Sequence, residues 1–376
     1  MHAIRDEEDD LLRRFEERMN DASDEPDARD AYRDAFRRLR SRLVLYPPAD
    51  QSPSATFESA ARTARNLAAS CLPLAMALAM HLYPFCALQC VPIPLLSAAR
   101  FQRAMLLRTI RSRSLVLANA GSDRADGAPA ALTATRVSDG IRVDGTYDYM
   151  SLASVADVVL FRAQLADSGD SVLCAADLRG DSVRIGNWKF TGSMRLSDTA
   201  SVTFTGHQVP RERYAVLPGS TELRCISDYQ RCWFHLFLAE IYLARLDRLH
   251  RIWDLGRCQD HLVSLNELSR LREYSLRLLD EFPSRGDLES LTSTTAAMKL
   301  RASLLAQSTM AALHSLAEVS DAANARQLRI DASELSYIKS QPTADKQILR
   351  RLGVSLDRGH SVQDETKEPG ARPGSR

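Results

Sequence analysis

Residues 185–210, IGNWKFTGSMRLSDTASVTFTGHQVP, read as two short strands joined by a polar turn and closed by a proline. In the second half Val202 and Phe204 alternate with polar residues, and Val209 follows a small turn at Gly206. A period of two marks a half-buried strand. Nearly everything after this stretch, and much before it, has the period of a helix. An island of strands between two helical blocks decides the fold.

Working upstream, strand-like runs continue back to Ser114. They cover Ala131–Val137, Gly140–Val143, Val155–Leu165 and Ser171–Asp177, with turn residues such as GSDRADGAP between them. Strands at this spacing fit a small antiparallel barrel or sandwich. Before Ser114 the pattern is helical: Leu11, Leu12, Phe15 and Met19, then Tyr32, Phe36, Leu39 and Leu43, split by DASDEPDARD. A helix from Thr56 to Cys71 follows. Leu74–Met80 and His81–Cys90 read as two very apolar segments, and Ala98–Ser112 carries Arg100, Arg103, Arg108 and Arg111 along its polar side.

Downstream, helical periodicity returns near Thr221. Asp228–Trp253, His261–Phe282 (ended by Pro283 and Gly286), Leu288–Val319 and Asp331–Leu352 (interrupted at Pro342) make four helices in sequence, the mark of a bundle. The expected fold is α+β, mostly α: a helical domain over 1–113, a β-domain over 114–218, a four-helix bundle over 219–355 and a disordered Pro/Gly-rich tail over 356–376.

Composition narrows the function. Charge is balanced, 49 basic residues against 48 acidic, which argues against nucleic acid as a partner. Seven cysteines without a CxxC imply neither a disulfide framework nor a zinc site. The apolar run Leu67–Leu96 is broken by four prolines and His81, so it reads as buried helix and not as a membrane span. The acidic, amphipathic N-terminus is unlike a signal peptide, and the expected location is the cytoplasm.

Two motifs then carry a resemblance. Gly145-Thr146-Tyr147-Asp148-Tyr149-Met150-Ser151, followed by Ala156-Asp157, matches in spacing a strand pattern G-x-K-x-W-I-T/S-x-x-x-x-A-D. Ser193-Met194-Arg195-Leu196-Ser197-Asp198-Thr199, running to Phe204 and then Val209-Pro210, matches G-x-R-x-S-x-T-x-x-x-x-F followed by V-P. Both patterns, with the order helices, β-domain, bundle, resemble the acyl-CoA dehydrogenase family, and the Tyr/Ser form of the first is similar to its flavin-monooxygenase relatives. The resemblance implies FAD, or FMN, held between the β-domain and the bundle. It puts the Ser151 hydroxyl near the reactive flavin nitrogen and packs Tyr149, beside Met150, against the ring. It gives Ser122-Asp123 to the pyrimidine side and makes Arg195 and Ser197 candidate cofactor contacts. A satisfied surface strand for Tyr149–Ser151, and a scaffold role for Arg195 and Ser197, stand as the structural alternatives.

The chain departs from that family where the chemistry lies. A dehydrogenase needs a carboxylate to take the proton α to the thioester. The position on the last helix is Lys339, or Ile338 if the register slips by one, and the one on the first bundle helix is Gln230 beside Arg231. The glycine-rich adenosine motif is replaced by LHSLAEVSDAAN, and of the diphosphate grip only Leu255-Gly256-Arg257 remains. Glu240, in the apolar face LFLAEIYLA, is a candidate base, as is His81; His235 lies five residues before Glu240, and Lys339 is a candidate catalytic residue, as a point charge for a phosphate or carboxylate or as a desolvated amine. For each, a hydrogen-bonded buried or solvated side chain is the plainer alternative.

Three functions follow. The leading one is a flavin-dependent oxidoreductase on an acyl thioester, delivered by CoA or an acyl carrier protein. A flavin monooxygenase, served by a flavin reductase, needs no α-proton base. A non-catalytic binding or assembly relative fits the missing cofactor motifs. The resemblance also implies a homodimer or homotetramer.

Overall fold

The computed structural model of the chain describes residues 14–15, 25–41, 45–92, 100–120, 132–189, 198–217, 220–255 and 259–336. Four helices come first: α1 (Glu25–Ser41), α2 (Pro53–Ser70), α3 (Leu72–Cys90) and α4 (Arg100–Ser112). Ser52 caps α2 by accepting from the Ala55 N–H at 3.3 Å, and Pro53 fills the first turn, where no N–H is needed. α3 is buried on nearly every face and is the one described helix long and apolar enough to cross a membrane; 83% of its most apolar window is buried inside the protein. It is a central core helix. The expected break between Met80 and His81 does not occur, and the helix runs through Pro84. One backbone hydrogen bond is lost there, and burial of apolar surface all round the helix offsets it.

The sheet domain follows, with β1 (Leu117–Ala120), β2 (Leu132–Val137), β3 (Gly140–Met150), β4 (Val158–Leu165), β5 (Ser171–Asp177), β6 (Val183–Trp188), β7 (Ala200–Pro210) and β8 (Tyr214–Leu217). Strand order is β6-β7-β3-β2-β4-β5-β8, with β1 also paired to β4. The expected antiparallel pattern holds for most pairs, but β1–β4 and β2–β4 are parallel. Asp157 sets this up. Its carboxylate accepts from the Val116 N–H at 2.8 Å, its own N–H donates to the Val116 carbonyl at 2.8 Å, and β1 and β4 therefore start side by side. Four-residue β1 covers only half of β4's edge, and β2 takes the rest at Gln164 and Leu165.

β3 is longer than the alternation suggests. It continues past Val143 to Met150, through register shifts against β7 on either side of Gly145–Tyr147. Gly145 has φ 129°, a value that favours glycine, which is why this position of the first motif carries one. β7 likewise runs straight through Gly206, at φ 58°, where a turn was expected.

Four long helices complete the described chain: α5 (Ser220–Ile252), α6 (Gln259–Arg285), α7 (Leu288–Val319) and α8 (Ala322–Ser336). Pro283 lies inside α6, which ends instead at Arg285, with Gly286 at φ 69°. Asp287 then caps α7 by accepting from the Ser290 N–H at 3.0 Å. The last helix begins at Ala322, before the expected Asp331. Its expected course beyond Ser336, the tail, and the N-terminal helix apart from residues 14–15 lie outside the described residues.

His81 is a staple of this core. Its Nδ1 accepts from the Leu117 N–H at 2.9 Å, and its Nε2–H donates to the Leu45 carbonyl at 3.1 Å. Burial lowers its pKa to about 4. The unfolded chain binds this proton near pH 6.5 and the folded one only near 4, so the contribution is complete above 6.5 and is lost as pH falls through that window. Unfolding free energy measured by urea should therefore drop by roughly 3 kcal/mol from pH 7 to pH 4 on account of this group. In His81→Phe that part of the slope should disappear; an unchanged slope would exclude His81 as its source.

Candidate active site

The two motifs meet in space. Met150 at the end of β3 pairs with Ala200 at the start of β7, and around that pair the flanking side chains interlock. The Ser151 and Thr199 hydroxyls are 3.0 Å apart. Asp198, fully buried at φ 49°, accepts from the Ser154 N–H (2.8 Å), the Ser154 hydroxyl (2.6 Å) and the Trp188 indole N–H (2.9 Å). Burial raises its pKa, and these donors and Arg29 oppose the rise. From α1, Arg29 donates to the Gly186 carbonyl at 2.7 Å, and Arg40 reaches the Val155 carbonyl at 3.0 Å and Asp157 at 2.7 Å. The conspicuous acids of both motifs, Asp157 and Asp198, are thus cross-links that hold the turn at residues 151–155 rigid.

That turn presents two groups. Ser151 is partly open, its hydroxyl steadied by Thr199. Tyr149 is 51% exposed, with the Lys189 ammonium 5.8 Å from its ring centroid and Asp148 3.8 Å from Lys189. Met150, between them, points into the core. Half-exposed Tyr149 beside a held serine hydroxyl makes a shelf on which a flat ring can pack. Ser122, Asp123, Arg195, Ser197 and Lys339 lie outside the described residues.

A second polar group, not anticipated from the sequence, lies where α3, β1 and α5 converge. Asn119 on β1 donates its amide N–H to the Tyr83 hydroxyl at 2.9 Å, and the Tyr83 ring packs edge-on against Phe234 of α5, centroids 5.2 Å apart. One lone pair of the Tyr83 oxygen is taken, so its proton remains available for donation. Burial pushes its pKa up to about 12, against the Asn119 bond, and keeps it a neutral phenol. Asn119 precedes Ser122 by three residues on the chain, so the strand bearing it leads into the expected pyrimidine-side pair. His81 and Tyr83 are two residues apart on one helix, hence on nearly opposite faces. Tyr83 is one of the few polar side chains in the apolar run, beside Ser70, His81 and Gln89, and that was the available signal.

The sheet meets the bundle at Arg162. Its guanidinium bonds the Ser227 hydroxyl, and its carbonyl accepts from the Tyr147 hydroxyl at 3.1 Å. Beside it Asp228, a carboxylate passed over in the sequence, pairs with Arg231 at 2.7 Å.

Glu240 is also engaged. It is 3% exposed, and its two oxygens go separately to Arg65 at 2.7 Å and to Arg272. Both arginines also reach Glu58. The quartet ties α2, α5 and α6 together. Asp331 is bound by Arg245 at 3.0 Å and by the Trp253 indole at 2.8 Å. Of the candidate bases, the structure places Glu240 and His81 in separate scaffolding contacts and brings neither to Ser151 or Tyr83. His235, buried on α5, packs against Phe234 at 6.1 Å. No group of His, Cys, Asp and Glu able to hold a metal occurs among the described residues.

No family model and no curated protein matches the chain. Solved structures do. TdsC from Paenibacillus sp. A11-2, in complex with FMN and indole, is 19% identical, with a TM-score of 0.65 over 94% of this chain and 96% of that one. KijD3 in complex with FMN and dTDP-3-amino-2,3,6-trideoxy-4-keto-3-methyl-D-glucose is 16% identical, with a TM-score of 0.63 over 87% and 88%. The FAD complex of PigA is 17% identical, with a TM-score of 0.64 over 85% and 89%. TdsC has also been described as a dibenzothiophene monooxygenase. The chain has the acyl-CoA dehydrogenase-like fold that these structures share.

Proposed function

We propose that the chain is a flavin-dependent monooxygenase. The observation that carries this reading is the presence of two held hydroxyl groups, Ser151 on Thr199 and Tyr83 on Asn119, on a fold whose carboxylates Glu240, Asp228 and Asp331 are already bound by arginine or indole. Neutral donors suit a reaction that transfers oxygen, and a dehydrogenase would require a free carboxylate. The flavin complexes of TdsC, KijD3 and PigA on this fold support the cofactor. The exposed Tyr149 ring and the Ser151 hydroxyl fit a flavin, FMN or FAD, at the end of β3.

When bound, the flavin supplies two-electron reduction of oxygen, one atom going to substrate and the other leaving as water. A flavin reductase furnishes the electrons. Ser151, held by Thr199, offers a hydrogen bond to the ring edge. Tyr83, held by Asn119, donates its hydrogen bond to an oxygen acceptor in the seam while Phe234 and α3 keep water out. Glu240, committed to Arg65 and Arg272, is not free to serve as the base that a dehydrogenase acting on an acyl thioester needs.

The test begins with a visible spectrum after addition of FMN or FAD. Bound flavin bands are expected, together with oxygen consumption driven by reduced flavin. Ser151→Ala should weaken turnover by roughly 10-fold or more, the worth of one hydrogen bond to a reacting group. A protein that stays colourless and binds neither flavin overturns the proposal, and anaerobic bleaching by an acyl thioester would replace it with a dehydrogenase.

A further inference from the structure

α4 presents an unusual surface. Leu107 and Ile110 face the core, and the opposite face carries Phe101, 69% exposed, Met105, 39% exposed, and Arg108, at helical spacing. Arg100 and Arg113 flank this stripe and are exposed as well. The protein balances 49 basic residues against 48 acidic ones, yet residues 100–113 hold five arginines and no carboxylate. Arg103 and Arg111 turn inward, to the Val91 carbonyl at 2.6 Å and the Pro47 carbonyl at 2.9 Å. Arg100, Arg108 and Arg113 pair with no carboxylate among the described residues. The 3-10 turn Arg211–Arg213 packs alongside and adds exposed Arg211, while Arg213 pairs with Asp177 at 2.6 Å.

We infer that this stripe docks a small acidic protein, whose carboxylates meet Arg100, Arg108 and Arg113 around an apolar contact with Phe101 and Met105. Aromatic residues, methionine and arginine are what protein interfaces concentrate, and Phe101, Met105 and Arg108 share one face of α4. A patch of one short helix with two apolar side chains offers little area for insertion into a lipid surface. The position gives the contact a use. Along the chain α4 lies between α3, which carries Tyr83, and β1, which carries Asn119. A substrate tethered to an acidic carrier could be presented from it; this use rests on the proposed function, whereas the docking itself does not.

The probe is a fluorescently labelled holo-acyl carrier protein, titrated with the full chain at low ionic strength. Saturable binding that weakens steeply with salt is expected. The double variant Arg100→Glu/Arg108→Glu should raise Kd at least ~10-fold and Phe101→Ser about 5-fold, as for the anchors of a small interface. Arg326→Glu, an exposed arginine on α8, should leave Kd unchanged. Absence of binding, equal loss in the control, binding of phosphatidylglycerol vesicles through the same residues in place of the protein probe, or a changed oligomeric state of the double variant would each overturn the inference. Flavin titration of the same variants keeps the outcomes distinct: it reports on the flavin proposal and should not respond to α4.

Discussion

Glu240→Ala is expected to destabilise the protein by about 3–5 kcal/mol, the cost of removing one partner of a buried ion pair. The carboxylate is nearly inaccessible and holds one arginine from α2 and one from α6, so its loss leaves Arg65 and Arg272 facing each other with only Glu58 to share. Glu58 is 38% exposed and contributes less; Glu58→Ala should cost under about 1 kcal/mol, as surface pairs do. Urea unfolding followed by circular dichroism reads both. A general base would behave oppositely: Glu240→Ala would fold with near-native stability, keep its flavin and lose turnover. That outcome would return Glu240 to the chemistry and with it the dehydrogenase reading.

Tyr83→Phe should be the converse. The hydroxyl makes one hydrogen bond, to Asn119, and the ring keeps its contact with Phe234, so stability should change by no more than about 1 kcal/mol. Flavin affinity should also be unchanged. Turnover should fall ~100-fold, the lower range for loss of a positioned proton donor. Oxygen should still be reduced but released as hydrogen peroxide, so the ratio of product to oxygen consumed is the sensitive readout. Asn119→Ala should fall by roughly 10-fold, and the double variant should be little worse than Tyr83→Phe, because both changes break one unit. Full coupling and wild-type turnover in Tyr83→Phe would remove this residue from the mechanism.

The fate of the motifs shows why half of this was legible. Gly145, Ser151, Asp157, Asp198 and Thr199 stand out because their spacing is fixed by a strand that must bulge, turn and pair again. Such constraints are local, and local constraints leave a pattern in the chain. Their reward is a rigid turn, so the pattern speaks for architecture. Glu240 shows the opposite case. From α5 alone, an acid in an apolar face reads as a perturbed base. Its two guanidinium partners come from positions 65 and 272, and nothing in the helix announces them.

By itself, then, the sequence determined the order of helical block, sheet and bundle, which follows from periodicity and from residue types that only certain backbone conformations accept. That the two motifs meet at the end of β3 is a tertiary result. The tertiary structure alone decided which polar side chains are committed and which remain available. His81 and Tyr83 lie two residues apart in one apolar run, yet one closes two backbone groups of the core and the other turns its hydroxyl into the seam between three elements. That distinction depends on what packs opposite each face of α3, from β1 and from a helix more than a hundred residues away, and pairing at such distance leaves no periodic trace.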